Sequence, residues 1–336
     1  MINLISDTVT KPTPEMLKYM MSAEVGDDVF LEDPSMNRLQ EMAAQMFGKE
    51  AALFCPSGTM TNQIAIKCHT QPLDEVICDH YSHVYQYETG GYAFNSGVAI
   101  NLIQGTNGKV TADQVEKAIK PVYDWLPISR LVVLENSCNK GGGSYYTIDE
   151  IKPIAELCKA KGLTLHLDGA RLFNVLVETG ESTQDVGKLF DSISICISKG
   201  LGAPVGSLLI GDQKTITQAR RYRKVMGGGM RQAGYLAAAC EYALTNHVDR
   251  LKIDNDRAKE LGELLESQSY VSSVRPVKTN IVIFDLANQS AADFLSKLES
   301  KGIKASAFGP ETVRFVTHMD YTDEMHEEVI GALKSI

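Results

Sequence analysis

The chain has 336 residues and a formal net charge of −9, with 44% apolar and 22% charged residues. At about 150 residues per domain, this length predicts about two domains, and the composition excludes disordered, fibrous and membrane-embedded classes. Lysine and arginine residues are scattered without a long basic run, so we expect no nucleic-acid partner.

Targeting signals and disulfides are not expected either. No stretch approaches the roughly 18 to 20 consecutive apolar residues of a membrane span, so no membrane partner is predicted. Asp7 and Lys11 interrupt the N-terminal segment before a signal-peptide core forms. The seven cysteines contain no C-x-x-C pair, which is typical of reduced thiols. These features predict a cytoplasmic protein.

Between about residues 49 and 210, short β-branched segments alternate with helical patterns. This order predicts a mainly parallel sheet with helices on both faces. Helix ends are readable at Thr111, an N-cap, and at Thr147, which opens a capping box with Glu150 in a helix closed by Gly162. The predicted strands are 75–79, 98–103, 130–135, 163–168, 192–196 and 206–210.

The C-terminal part of the chain has a different order of predicted helices and strands. A long helical region runs from about residue 234 to 267 and is followed by a strand at 281–286, a helix at 291–301, a strand at 313–317 and a helix at 324–336. We therefore predict a large domain over 1–245 that includes the N-terminal segment. Residues 246–336 form the bridging helix and a small C-terminal α+β domain.

In open α/β sheets, ligands bind beyond the carboxyl ends of the strands, so polar residues at those places are candidates. Ser57, Gly58 and Thr59 open a predicted helix, where free backbone N–H groups and the helix dipole favour an anion. An ordinary helix cap with a glycine turn is the alternative. The segment is not a Walker motif, because no Gly-Lys-Ser/Thr follows.

Three further candidates follow other predicted strands. Asp168 can pair with a buried cation or simply cap the next helix. Lys199 precedes a glycine-rich turn, where burial disfavours the ammonium ion relative to the neutral amine of Schiff-base chemistry; a solvated loop lysine is the alternative. His83 suits ring stacking or proton transfer, or only packing. His166 shares a strand face with Asp168, but without a third ligand we predict no metal.

An anion cradle, an acid, a buried lysine and an aromatic histidine are together the parts of a pyridoxal phosphate site. At these residues the chain resembles the low-specificity L-threonine aldolases, which are fold type I pyridoxal phosphate enzymes related to aspartate aminotransferase. The glycines after the lysine do not match a dinucleotide fingerprint, which argues against a nicotinamide dehydrogenase. The segments that carry the resemblance span nearly the whole chain: 6–10, 26–30 with 33–34, 57–62, 168–171, 198–206, 227–232 and 314–318.

The resemblance implies an α/β fold of type I, with a large domain built on a mainly parallel sheet between helices and a smaller C-terminal α+β domain. It implies pyridoxal 5'-phosphate as cofactor, held as a Schiff base by Lys199. Asp168 matches the partner of the pyridinium nitrogen, and His83 matches the residue that stacks on the ring. Gly58 and Thr59 match the phosphate-binding turn.

Three arginines and a serine complete the implied site. Arg231 matches an active-site arginine, which we assign to the cofactor phosphate. Ser6, Arg171 and Arg314 match positions that hold the substrate carboxylate, for which a guanidinium offers two parallel donors. Arg171 is also counted among the cofactor-binding residues. Ion pairs at the surface or between domains are the alternative interpretation.

The implied reaction is the reversible retro-aldol cleavage of L-threonine or L-allo-threonine to glycine and acetaldehyde. A β-eliminating lyase or an aminotransferase acting on a small amino acid is the alternative, and a non-catalytic ligand-binding protein is a further one. Lys199 and His83 are the expected catalytic residues; His83 is the expected base, with a water or Glu88 as alternatives. The resemblance also implies a homotetramer, a dimer of dimers with shared active sites.

One position departs from the family pattern. Many relatives have Glu-Asn-Thr-His where this chain has Glu135, Asn136, Ser137 and Cys138. A histidine at the fourth position is therefore missing, which leaves the preference between threonine and allo-threonine open. Cys138 is expected near the active site.

Overall fold

Strands and helices alternate along most of the chain in a computed structural model of residues 1–336. The strands are β1 (Ile2–Asn3), β2 (Ala51–Cys55), β3 (Asp74–Asp79), β4 (Ala99–Ile103), β5 (Ile128–Glu135), β6 (Thr164–Gly169), β7 (Ser192–Cys196), β8 (Ser207–Gly211), β9 (Val271–Val274), β10 (Ile281–Leu286), β11 (Ile303–Lys304), β12 (Ser306–Ala307) and β13 (Thr312–Val316). The helices are α1 (Pro14–Met21), α2 (Pro34–Met46), α3 (Gly58–His69), α4 (His83–Gln86), α5 (Gly91–Ser96), α6 (Ala112–Ala118), α7 (Ile148–Lys161), α8 (Leu172–Thr179), α9 (Thr183–Leu189), α10 (Gln213–Val225), α11 (Gly234–Asn246), α12 (Leu251–Glu266), α13 (Ala291–Ser300) and α14 (Asp323–Lys334).

The central sheet has seven strands in the order β2-β8-β7-β6-β5-β3-β4. Strands β4, β3, β5, β6 and β7 are mutually parallel, whereas β8 runs antiparallel to its neighbours β7 and β2. The mainly parallel α/β sheet is confirmed, and each of the six strands predicted between residues 75 and 210 is present. The direction of β8 was not predicted.

Both faces of the sheet are buried, which explains the nearly continuous apolar segments. In β5, Val132 and Leu134 belong to the largest core, together with residues of α2, α7 and α11. Their neighbours Leu131 and Val133 lie on the opposite face and pack in a separate cluster with Ile66 of α3. Successive side chains of a strand point to opposite faces, so an uninterrupted apolar run is required here.

The predicted helix caps are present. Thr111 and Thr147 each make a complete capping box, and Gly162 ends α7 in the left-handed conformation, with φ of 69°. The long helical region after residue 234 is two helices, because α11 ends at Asn246 and α12 begins at Leu251. No helix combines the length and the apolar character that a bilayer crossing requires. All seven cysteines are free, and only Cys68 is not fully buried.

The C-terminal α+β unit is also confirmed, with a four-stranded antiparallel sheet in the order β12-β13-β10-β9 packed on α12, α13 and α14. The N-terminal strand β1 pairs with β11 of this unit, and Ile2 and Leu4 are buried in its core. The N-terminal segment, which we assigned to the large domain, thus packs with the smaller unit. The division at residue 245 stays a prediction.

Candidate active site

One edge of the central sheet collects the candidate residues. Strands β3, β5, β6 and β7 are parallel, and β2 runs in the same direction because β8 is antiparallel to both β2 and β7. The segments that follow these strands therefore leave the sheet at the same edge. They carry Gly58, His83, Asp168 and Lys199.

Lys199 lies on the loop after β7, between the sheet and α12. It lines a small cleft together with Ala170, Arg171, Cys196 and Leu251. The half-buried Lys199 makes no ion pair, and its Nζ donates no hydrogen bond to the protein. The amine is thus free to react with an aldehyde group brought to this edge.

Asp168, at the end of β6, is 2% exposed and belongs to a buried hydrogen-bond network. The Asn62 Nδ2 donates to Asp168 Oδ2 at 2.8 Å and to Glu88 Oε1 at 2.9 Å. Glu88 also accepts from Gln63 Nε2 at 2.5 Å and contacts His83 Nδ1 at 2.9 Å. A single amide therefore connects Asp168 to the His83 ring through one carboxylate.

The charges around His83 make its ring more basic than an ordinary imidazole. Burial lowers the pKa of His83, but the hydrogen bond with Glu88 and the nearby Asp168 and Glu135 carboxylates raise it above the ordinary value. Glu135 Oε2 also accepts from the backbone N–H of His83 at 2.8 Å. Burial and then the nearby Asp168 raise the pKa of Glu135 to about 7. The edge of the sheet is thus rich in buried carboxylates that suit cationic groups.

The start of α3 fits a phosphate group. Ser57 caps this helix and accepts from the Met60 N–H. The N–H groups of Gly58 and Thr59 lie in the first turn, where no acceptor exists within the helix, and they make no hydrogen bond to other protein groups. A Cβ at Gly58 would collide with Cys196 Sγ, so glycine is required for this close approach.

The candidate residues for a substrate carboxylate meet at the N-terminal segment. Arg171 makes a buried bidentate ion pair with Asp7, through Nε and Nη2 at 2.7 Å each. Burial raises the pKa of Asp7, but the Arg171 guanidinium holds it well below its ordinary value. Ser6, the residue before Asp7, caps the short turn Asp7–Val9. Arg171 thus keeps both hydrogens of Nη1 and the second hydrogen of Nη2 for other partners.

Arg314 lies beside this ion pair and is incompletely satisfied. Its Nη1 donates to Asn139 Oδ1 at 2.8 Å and its Nη2 donates to the Ile5 carbonyl at 2.9 Å, but its buried Nε has no partner. Burial and then the nearby Arg171 guanidinium lower the pKa of Arg314 to about 10. Two close guanidinium groups with an unsatisfied donor suit an anion such as a carboxylate.

Arg231 and Cys138 make no side-chain hydrogen bond or ion pair with the other candidate site residues. Arg231 is half exposed and donates from Nη1 to Asp27 at 2.9 Å. Cys138 is buried, and its thiol donates to the Gly108 and Glu135 carbonyls. Its neighbour Asn139 is the residue that reaches Arg314.

His83, Glu88 and Asp168 form a group that could hold a metal ion, because one ligand atom of each lies within 4.8 Å of the others. The Asn62 amide nitrogen, however, already donates to both carboxylates of the group. His166, considered together with Asp168 as a metal ligand in the sequence analysis, instead faces the Asn62 carbonyl oxygen with its Nε2, 3.2 Å away. The donor hydrogens of Asn62 thus take the place that a cation would need.

The residues present fit pyridoxal phosphate. They offer a free amine at Lys199, unpaired helix N–H groups for a phosphate at Gly58 and Thr59, and an aromatic ring at His83. The buried Asp168 carboxylate suits a protonated ring nitrogen. Sequence reasoning missed Asp7 and Asn62, whose partners are distant in the chain, and considered Glu88 only as a base.

Comparisons with known proteins show which family and fold this chain shares. The family model described as β-eliminating lyase matches residues 3–289. The low specificity L-threonine aldolase of Escherichia coli O157:H7 is 40% identical over 330 residues, which cover 98% of this chain and 97% of that protein. The probable low-specificity L-threonine aldolase 2 of Arabidopsis thaliana is 39% identical, with 100% and 97% covered. The threonine aldolase structure of Leishmania major shares the fold, with a TM-score of 0.86, 23% identity and 100% and 99% covered.

Proposed function

The chain belongs to the β-eliminating lyase family, and we propose that it is a pyridoxal-phosphate-dependent aldehyde-lyase that cleaves L-threonine and related β-hydroxy-α-amino acids to glycine and an aldehyde. One observation carries the proposal: the sheet edge holds a free lysine and a buried aspartate, and a separate group of arginines beside them can bind a carboxylate. The first pair suits the cofactor, and the second site suits an amino acid. The threonine aldolases named above support the substrate class.

Lys199, Asp168, His83, Gly58 and Thr59 are the residues we propose to hold the cofactor. Lys199 supplies the amine for the Schiff base, and Asp168 supplies a fixed negative charge for the ring nitrogen. The cofactor, when bound, supplies an electron sink for the bond that breaks at the substrate Cα.

Arg314, Arg171 and Ser6 are the residues we propose to bind the substrate carboxylate. The unsatisfied Nε of Arg314 and the free Nη1 of Arg171 offer donors, and their positive charges attract the anion. Fixing the carboxylate fixes the rotation about the Cα–N bond. This rotation decides which bond at Cα is aligned for cleavage, and an aldolase must present Cα–Cβ.

His83 is the base that we propose for the β-hydroxyl proton. Its Nδ1 faces Glu88, so donation from Nδ1–H to that carboxylate leaves the lone pair of the neutral ring at Nε2. Glu88 itself is a poor base, because both of its oxygens accept hydrogen bonds from Asn62, Gln63 or His83. Loss of the hydroxyl proton converts the Cβ–O bond to the aldehyde carbonyl as the Cα–Cβ bond breaks.

The subunit arrangement expected from the sequence also stays a proposal. Phe30, whose ring centroid lies 6.0 Å from the Arg231 guanidinium carbon, is 67% exposed. Val225, six residues before Arg231 in the chain, is 86% exposed. Large apolar side chains exposed beside a candidate phosphate arginine support an interface at this face. We propose a homotetramer, a dimer of dimers in which Arg231 serves the phosphate at such an interface. Size-exclusion chromatography with light scattering tests the assembly, and cell fractionation tests the cytoplasmic location.

Product analysis tests the function. The purified chain with pyridoxal phosphate is incubated with L-threonine, and glycine and acetaldehyde are the expected products. Lys199→Ala abolishes their formation. Arg314→Met lowers kcat/KM by roughly 100-fold, because about 3 kcal/mol of charged hydrogen bonding is lost, while Arg314→Lys recovers part of it. Formation of 2-oxobutanoate, or of another 2-oxo acid by transamination, would instead identify one of the alternative activities.

A further inference from the structure

A chain of buried and partly buried polar groups runs behind Asp168, from the end of α3 to the candidate site. His69 Nε2 lies 2.8 Å from Ser192 Oγ, and the same hydroxyl lies 2.8 Å from His166 Nδ1. His166 Nε2 lies 3.2 Å from Asn62 Oδ1. The Asn62 Nδ2 then donates to the Asp168 and Glu88 carboxylates.

The sequence places these groups in line by simple periodicity. Asn62 and His69 are seven residues apart on α3, which puts them on the same helix face two turns apart. His166 and Asp168 are two residues apart on β6 and face the same side of the sheet. Ser192 begins β7, beside His166 in the register. His166 and Ser192 are completely buried, so no solvent competes for their hydrogen bonds.

The partners along the chain favour one direction for each hydrogen bond. Two carboxylate oxygens face the Asn62 nitrogen, so the Asn62 carbonyl oxygen must face His166. A carbonyl oxygen only accepts, so His166 Nε2 carries the proton. Burial and then the nearby His69 lower the pKa of His166 to about 3, so the ring is neutral and its Nδ1 accepts from Ser192 Oγ. Ser192 Oγ in turn accepts from His69 Nε2.

We infer that His166 is a positioning residue that, as a neutral imidazole protonated at Nε2, locks the Asn62 amide and thereby holds the Asp168 and Glu88 carboxylates in place. The inference rests on the proposed function in that Asp168 is taken as the partner of the cofactor ring nitrogen. An amide donates only through nitrogen and accepts only through oxygen, so the chain orients the carboxylates and does not conduct protons.

The Ser192 hydroxyl supports the tautomer that the Asn62 carbonyl oxygen requires. The His166 Nδ1 also lies 3.1 Å from the Ser192 carbonyl oxygen, which would favour a proton on Nδ1. At Nδ1 itself the Ser192 hydroxyl, 2.8 Å away, opposes this effect because it can donate to a lone pair there. Ser192→Ala removes this donor and keeps the carbonyl, so the proton is expected to move to Nδ1 and the bond to Asn62 is lost.

The tautomer is measured by nitrogen-15 NMR on the full-length protein labelled at histidine, with the His166 signals assigned by their absence in His166→Gln. We expect an N–H at Nε2 and a bare Nδ1 at neutral pH, and the reverse in Ser192→Ala. A wild-type His166 that is charged, or protonated at Nδ1, would overturn the inference even if every variant failed to fold.

Cofactor affinity gives the second readout, by titrating pyridoxal phosphate into the cofactor-free full chain and following its visible absorbance. His166→Leu and Ser192→Ala are expected to raise the apparent Kd roughly tenfold, the loss typical of a buried acceptor left unpaired. His166→Gln keeps a donor near the Nε2 position and is expected to recover most of the affinity. Folded Leu and Ala variants with wild-type affinity would overturn the inference.

The proposed function is tested separately, by the products that the wild-type protein forms from L-threonine. If the protein binds pyridoxal phosphate but forms no glycine and acetaldehyde, the aldolase proposal fails, whereas the tautomer and affinity results stand. If it cleaves L-threonine but His166 carries its proton on Nδ1, only the positioning role fails.

Discussion

The buried ion pair between Asp7 and Arg171 gives a prediction that can be worked through from the structure. Both side chains are almost fully buried, at 0% and 6% exposure, and two hydrogen bonds of 2.7 Å join them. Asp7→Asn removes the negative charge and leaves a buried guanidinium without its counter-ion. Breaking such a pair costs about 3 to 5 kcal/mol. We expect this loss in the free energy of unfolding, measured by urea denaturation at neutral pH.

The pH dependence of this loss has a definite sign. The pKa of Asp7 in the folded protein lies well below its ordinary value of 3.8, so Asp7 contributes stability that is fully present above that value. The contribution disappears as the pH falls through the lowered pKa of the folded state. The difference in unfolding free energy between wild type and Asp7→Asn is therefore constant near neutral pH and shrinks in acid.

Asp113→Asn is the matched control, because Asp113 pairs with Lys117 on an exposed helix surface, where both side chains are more than half exposed. Its effect on the unfolding free energy is expected to be close to zero. An Asp7→Asn protein within about 1 kcal/mol of wild type, or one whose deficit grows in acid, would refute the reasoning about a buried and strongly coupled pair.

Two further predictions concern the cofactor end of the site. Glu88→Gln removes a carboxylate that raises the pKa of His83, so the acid limb of the kcat/KM profile moves to lower pH and the maximal rate falls roughly tenfold. Steady-state kinetics over a pH series measure both effects, and an unshifted limb argues against His83 as the base. Gly58→Ala brings a Cβ against Cys196 and raises the apparent Kd for pyridoxal phosphate at least about tenfold. Gly331→Ala in α14 is the control, because a Cβ there meets open space. This variant is expected to stabilise the fold by about 0.5 to 1 kcal/mol, measured by thermal unfolding. Equal affinities of the two variants for pyridoxal phosphate would contradict the proposed phosphate turn.

The sequence predicts the central sheet well, because a parallel strand buried on both faces must be apolar over its whole length. Leu131 to Leu134 illustrate this, since alternate side chains enter different cores. The reversed direction of β8 was not predicted, because an apolar run carries no information about its direction. The pairing of β1 with β11 joins residues about 300 positions apart, which no local pattern encodes.

The positions of candidate residues at the sheet edge could be predicted where one position suggests the chemistry. Asp168 and Lys199 are such residues, because the carboxyl ends of buried parallel strands meet at the edge where ligands bind. Asp7 and Asn62 could not be predicted, because each acts through partners at least 26 residues away in the chain. The hydrogen-bonding role of Glu88 was missed for the same reason, although the residue was considered as a base.

The most direct test of the account is the mass balance of L-threonine consumed by the purified protein with pyridoxal phosphate. Cleavage between Cα and Cβ predicts one glycine and one acetaldehyde for each L-threonine that disappears. The same balance is expected for L-allo-threonine, and the ratio of the two rates gives the preference that the Cys138 position leaves open. Consumption of L-threonine that yields ammonia and 2-oxobutanoate, with no glycine, would contradict the central claim.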